Sequence, residues 1–132
     1  MEPERLDRIP LFAALTAEER AEVAASLREV KVDMGTTFVT QGENAYELFV
    51  IEFGEAEVRR DGEVIRRLGA GEVFGEIGVL ATGTRTASVV TTSPMRLLAL
   101  STRDLEQLER RAPALVQSLR ETMAERVSRT SF

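Results

Sequence analysis

From Val30 to about Leu100 the apolar residues come in short runs rather than at helical intervals: VKVDMG, TTFVTQGEN, YELFVIEFGEAEVRRDG, EVIRRLGAG, TASVVTT and MRLLALS. Short runs rich in Val, Ile, Phe and Thr, separated by turn residues, predict an all-β barrel or sandwich. Asp61 and Gly62 predict a two-residue hairpin turn, because an Asp-Gly pair tolerates the positive φ angles that a type I′ turn requires. Gly35, Gly42, Gly54, Gly69 and Gly71 mark other breaks.

On either side of this region the period changes. The stretch TAEERAEVAASLREV opens with Thr16 and Glu19 at capping-box spacing and then places Val23, Leu27 and Val30 at helical intervals, which predicts an amphipathic helix. Ile9, Pro10, Leu11 and Phe12 form an apolar lead-in expected to dock on the core. After Leu100, Ser101 and Asp104 predict a capped short helix carrying Leu105 and Leu108. Pro113 suits the first turn of a second helix with Leu115, Leu119, Met123 and Val127 along one side. The expected fold is mainly β with flanking helices: a β-roll or jelly-roll barrel over residues 30–100, a helical segment over 1–29 and helices over 101–132. At 132 residues these form a single domain, with no further helix-turn-helix or catalytic region expected.

Composition narrows the function. The net charge of −5 works against binding a phosphate backbone, where clustered Lys and Arg dominate affinity, so nucleic acid is not an expected partner. The arginine pairs Arg59-Arg60, Arg66-Arg67 and Arg110-Arg111 are read as solvated faces. His is absent and Lys31 is the single lysine, which removes the commonest general base and metal ligand. With no cysteine there are no disulfides or thiolate metal sites, and no cofactor is expected. The longest apolar runs, such as LFVI at 48–51, are too short to span a bilayer, and no signal-peptide-length hydrophobic region follows Met1. Direct membrane insertion is therefore not expected, and a cytoplasmic location is.

One segment carries both a carboxylate and a cation among small, apolar and hydroxylated residues: FGEIGVLATGTRTASV at 74–89. Gly75 lets the chain turn and approach a ligand closely. The next residues, Glu76 to Leu80, can form one helical turn whose first N–H groups have no intrahelical partner and attract an anion such as phosphate. Arg85, nine positions beyond Glu76, can fold back onto the same phosphate. A carboxylate repels phosphate but accepts well from a sugar hydroxyl. Glu76 and Arg85 together suit a molecule that holds both groups side by side, as a cyclic nucleotide does.

At these residues the sequence resembles the phosphate-binding cassette of the cyclic-nucleotide-binding domain family. The family pattern of Phe-Gly-Glu, an aliphatic and a small residue, a short loop, then Arg, a small or hydroxyl residue and Ala is filled by Phe74, Gly75, Glu76, Ile77, Gly78, Arg85, Thr86 and Ala87. The resemblance covers nearly the whole chain, including IPLF, the QGE turn at 41–43, FVIEFGEAEV and the closing helices, and extends to the sensor domain of bacterial cyclic-nucleotide-gated channels and the catabolite-activator effector domain. It implies a short cassette helix within 74–87 and C-terminal lid helices. It also implies roles for individual residues. Glu76 accepts the ribose 2′-hydroxyl; Arg85 with the cassette N–H groups at Gly75, Ile77 and Gly78 holds the cyclic phosphate; Val58 and Leu68 wall the base pocket. Thr86 stands where a hydroxyl reaches phosphate or a guanine amino group, and Arg126 where the channels bring an Arg over the purine. Two departures from the channel pattern are Arg66, which stands where an apolar base-pocket residue is common and would either narrow the pocket or point outwards, and Asn44-Ala45-Tyr46, which lacks a Pro or Gly.

The function so implied is a non-catalytic regulatory domain that binds cAMP and also cGMP, with cAMP modestly favoured, and couples binding to movement of its C-terminal helix. The helix would contact an effector domain or partner protein. A phosphodiesterase would need metal ligands or a base to activate water, which the chain lacks. The alternative is an interaction or scaffold domain that keeps the fold without the ligand, whose sign would be a damaged cassette.

Overall fold

The computed structural model describes the backbone of residues 1–130 and the side chains of residues 1–126, so Val127 lies outside the described side chains. Two single 3-10 turns, Pro3–Leu6 and Pro10–Phe12, lead into α1 (Ala17–Ser26). Eight strands follow: β1 (Arg28–Val32), β2 (Thr37–Val39), β3 (Glu47–Phe53), β4 (Ala56–Arg60), β5 (Glu63–Leu68), β6 (Val73–Phe74), β7 (Ser88–Thr91) and β8 (Met95–Ser101). A short helix at Gly78–Thr82 interrupts them, and α2 (Thr102–Arg111) and α3 (Pro113–Thr130) close the chain.

The strands form two four-stranded antiparallel sheets, ordered β1-β8-β3-β6 and β2-β7-β4-β5. They face one another without closing into a barrel, which corrects that part of the expectation. Alternation along β3 and β8 shows why those strands read as near-continuous apolar runs. Phe49, Ile51, Leu97 and Ala99 point between the sheets, while Leu48, Val50, Leu98 and Leu100 point to the helices. A sheet covered on both faces needs apolar residues at every position. Leu6, Ile9, Phe12, Val23, Leu105, Leu108, Leu115 and Leu119 cover the second face, so the IPLF lead-in docks on the core as expected.

The capping box at Thr16 and Glu19 forms in both directions, and Ser101 caps α2 through the Asp104 N–H. The first helix is shorter than its sequence pattern predicts. It ends at Ser26, Leu27 is already extended, and Val30 sits in β1. The reason is tertiary: Arg28 to Val32 pair along the edge of β8, from Arg28↔Ala99 to Val32↔Met95, where β-branched Val30 and Val32 suit a half-buried strand. The hairpin forms as predicted, with Asp61 at φ 52° and Gly62 at φ 82° between paired Arg60 and Glu63. The two-residue strand β6, which pairs with β3 and leads into the Glu76 segment, went unread because Val73-Phe74 is too short to show a period.

Candidate functional site

β6 delivers the chain to Gly75, whose φ of 82° strongly favours glycine. A Cβ there would stand 2.7 Å from Arg85 Nη1 and 3.3 Å from the Glu47 carbonyl oxygen, so this glycine also leaves room for the guanidinium. Residues from Glu76 onwards are helical, and Gly78–Thr82 widens to a π turn closed by the Gly83 N–H donating to the Gly78 carbonyl at 2.8 Å. Single π turns of this kind recur at functional sites.

The Glu76 side chain is 1% exposed. Its Oε1 accepts from Arg126 Nη1 at 2.5 Å, an ion pair that joins the cassette to the last turns of α3. Its Oε2 is buried with no hydrogen-bond partner among the described residues. Arg85, 8% exposed, is also incompletely satisfied: Nη1 is buried and partnerless among the described residues, and the guanidinium carbon lies 5.6 Å from the centre of the Phe49 ring. Burial pushes the Arg85 guanidinium below the ordinary arginine range, with the Glu47 and Glu43 carboxylates pulling the other way. It remains a cation, as arginines in proteins do.

The QGE turn fixes the Arg85 backbone. The Arg85 N–H donates to the Glu43 carbonyl at 2.7 Å, the Gly42 N–H to the Arg85 carbonyl at 2.9 Å, and the Ala45 N–H to the Gly83 carbonyl at 2.9 Å. These three bonds hold residues 42–45 against residues 83–85, so the turn fixes where the arginine starts from the backbone. Asn44-Ala45-Tyr46 manages this without Pro or Gly at those positions, and Ala45 packs against Gly78.

All ten candidate residues, Gly75, Glu76, Ile77, Gly78, Arg85, Thr86, Ala87, Val58, Leu68 and Arg126, line one cavity of about 460 Å³ between the second sheet, the cassette and α3. Sequence reasoning passed over apolar walls at Val39, Ile65, Phe74 and Val89. Three arginines read as solvated faces also line the cavity: Arg60 and Arg66 are half-buried there, Arg66 on the pocket side of its two possible placements, while Arg67 stays exposed as expected. Arg60 Nε donates to the Thr86 carbonyl at 3.1 Å, and Arg66 Nη2 lies 3.1 Å from Glu72 Oε1. A bulge accounts for Arg66. Pairing outward from the hairpin would set Val58 opposite Ile65, but the ladder shifts after Arg59↔Val64, so Val58 pairs with Arg66. A one-residue slip exchanges the faces of a strand.

The family model of the cyclic nucleotide-binding domain matches residues 29–112. The chain belongs to the cyclic nucleotide-binding domain family. It is 34% identical over 125 residues to a chain named as a potassium channel protein in Rhodopseudomonas palustris, covering 92% of this chain and 30% of that one. It is 30% identical over 105 residues to the cAMP-dependent protein kinase regulatory subunit of Pyricularia oryzae, covering 78% and 27% respectively. Among solved structures, the catabolite activator protein of Thermus thermophilus superposes with a TM-score of 0.83 at 30% identity, over 92% of this chain and 60% of that one. The N-terminal domain of a Streptomyces coelicolor transcriptional regulator gives 0.75 at 33% identity, over 96% and 94%. The chain thus spans under a third of the length of these two curated relatives. The family is one of regulatory binding domains rather than catalysts. No described helix is long and apolar enough to cross a membrane.

Proposed function

We propose that this domain binds cAMP, and cGMP less tightly, in the cavity above, and that α3 reports occupancy to an effector. One observation carries the reading: Glu76 Oε2 and Arg85 Nη1, an acceptor and a donor, are both buried, both without a partner among the described residues, and both on the wall of one cavity. Buried polar atoms are rarely left so, because each costs about 1–3 kcal/mol. A cyclic nucleotide supplies what each lacks: its ribose 2′-hydroxyl donates to Glu76 Oε2 and its phosphate oxygen accepts from Arg85 Nη1. Gly75, Ile77 and Gly78 add backbone donors to the phosphate, Val58 and Leu68 flank the base, and Thr86 and Ala87 close the cassette side. The name of the fungal kinase regulatory subunit supports cAMP as the ligand. The intact cassette speaks against a ligand-free scaffold.

Coupling to the helix follows from the shared carboxylate. Glu76 Oε1 holds Arg126 while Oε2 faces the ligand, so the closed position of α3 and the bound ribose use one side chain. A ligand shifts an equilibrium only by its difference in affinity for the two states, and here that difference is the charge balance Arg126 gives Glu76. Calorimetric titration with cAMP and cGMP is the test. Saturable binding of both, tighter for cAMP, is expected, and binding of neither would overturn the reading. Arg126→Ala should weaken both.

A further inference from the structure

Arg85 is buried and forms no salt bridge with a carboxylate among the described residues. The acidic groups that act on it electrostatically are Glu47 and Glu43. Glu47 is engaged elsewhere, with both oxygens 2.9 Å from Arg28 Nη2. What the guanidinium does have is the Phe49 ring at 5.6 Å, within the distance at which an arginine is attracted to an aromatic face. That ring cannot drift. Phe49 is 3% exposed, its centroid is 5.2 Å from the Phe74 ring in a stacked pair at 29°, and the Phe38 ring stands T-shaped to it with centroids 4.7 Å apart. On the cassette side the guanidinium reaches Gly75, where a single added carbon would stand 2.7 Å from Nη1.

We propose that Phe49 is a positioning residue for Arg85: its fixed ring holds the guanidinium by a cation–π contact, in the cavity wall, without engaging the N–H groups that a ligand anion needs. This deepens the reading of the cavity as a phosphate site and rests on it. The difference from an ion pair is chemical. A carboxylate would take the donors of Arg85 in the free protein and would have to be displaced by the ligand. An aromatic face attracts the cation through its quadrupole and leaves Nη1 open, as observed. With the ring's attraction weakened, the guanidinium is freer to turn toward the Glu43 and Glu47 side, and phosphate must bring it back. Phe49 touches no ligand in this arrangement; it is absent from the cavity lining and acts through Arg85.

Fluorination tests this without changing the fold, because each fluorine withdraws charge from the ring face while nearly preserving its shape. The full chain is made with phenylalanine, 4-fluoro-, 3,5-difluoro- or 3,4,5-trifluorophenylalanine at position 49, and cAMP affinity is measured by calorimetry, with melting temperature followed in parallel. The expected result is a graded loss reaching about tenfold in Kd at three fluorines, the scale of one desolvated cation–π contact. Any accompanying fall in melting temperature should vanish in an Arg85→Ala background, where there is no cation to hold. A flat affinity series in a protein that binds cAMP would overturn the role of Phe49 and leave the ligand reading intact. An equal fall in melting temperature with and without Arg85 would make the ring a packing partner of Phe38 and Phe74 only, and would likewise overturn it. A parent chain that binds neither cAMP nor cGMP removes the ligand reading itself, and this inference with it.

Discussion

Two groups of charged side chains sit in or against the core, and they are finished differently. At the N-terminal end, Glu52 occupies a bulge in β3 and is shared by two arginines: Arg5 donates to both its oxygens, at 3.0 and 2.5 Å, and Arg96 Nε lies 2.8 Å from Oε1. Arg5 also reaches Glu29 at 3.1 Å. These bonds hold the Glu52 carboxyl below the usual carboxylate range and raise Arg5, each mainly through hydrogen bonding to the other. At the other end, Glu76 and Arg85 each keep a buried polar atom without a partner among the described residues. The first group is complete within the chain and ties the first 3-10 turn to the sheet. In the proposed function a ligand completes the second. On that proposal the same residue types serve stability where their valences are filled and binding where they are left open.

The widest break in that comparison is Arg85→Ala. Removing a desolvated cation that a ligand phosphate would pair should cost about 2–5 kcal/mol of cAMP affinity, roughly thirty- to several-thousand-fold. The free protein should lose much less, since the cation pairs with no carboxylate among the described residues and has the Phe49 ring as its contact. Calorimetry and thermal melts on the one variant check both halves, and binding within twofold of the parent would refute the assignment of Arg85 to the phosphate.

Glu52→Gln should do the opposite, lowering stability by about 1.5–3 kcal/mol through weakened charged hydrogen bonds while leaving cAMP affinity alone. A pH series sharpens the contrast. Glu52 has a lowered folded-state pKa, so its stabilisation is present above the carboxylate range of the unfolded chain and is lost as pH falls through the folded value. Acid melts should show the parent losing stability below about pH 4.5, and Glu52→Gln losing less over the same interval. Identical acid profiles would show that Glu52 does not supply that pH dependence.

Glu76→Gln comes next, at about 1–2 kcal/mol of cAMP affinity, because an amide still accepts one hydrogen bond but lacks the charge. The loss should shrink with 2′-deoxy-cAMP, which has no hydroxyl to offer. If parent and mutant differ by the same ratio for both nucleotides, Glu76 is not reading the 2′ position. Arg126→Ala tests the proposed lid with less disturbance of the fold than removing residues 113–132, which would strip Leu115 and Leu119 from the core.

The cassette was legible in the sequence because its chemistry is local: Gly75, Glu76 and Arg85 fall within eleven residues, and the turn and helix start between them bring donor and acceptor to one side. The sheets were legible as runs, but their closure was not, since whether two sheets seal into a barrel depends on edge pairings between distant strands. Faces near the bulge were illegible for a sharper reason. Nothing in EVIRRLG says which residue is the extra one, and choosing Ile65 turns Arg66 toward Val58 and the cavity. The fully paired Arg5, Glu52 and Arg96 group went unread because its members are far apart in the chain, and an isolated Glu in a strand looks like any solvated position.

Thr86→Ala has the smallest expected effect and bears on base choice. Thr86 lines the cavity directly after Arg85, and its carbonyl is held by Arg60 at 3.1 Å, which fixes its backbone against β4. No hydrogen bond of the Thr86 hydroxyl to the described residues competes with a ligand. A guanine amino group in a syn nucleotide can donate to that hydroxyl, whereas adenine has no group there. The same hydroxyl can donate to phosphate in either nucleotide. Removing it should therefore cost both ligands something and cGMP more, with the difference near one neutral hydrogen bond, about 1 kcal/mol or fivefold in relative affinity. Paired titrations of parent and Thr86→Ala with cAMP and cGMP measure that difference directly. An equal loss for both would place the hydroxyl on the phosphate alone, leaving the base to be read by Val58, Leu68 and the arginines across the cavity.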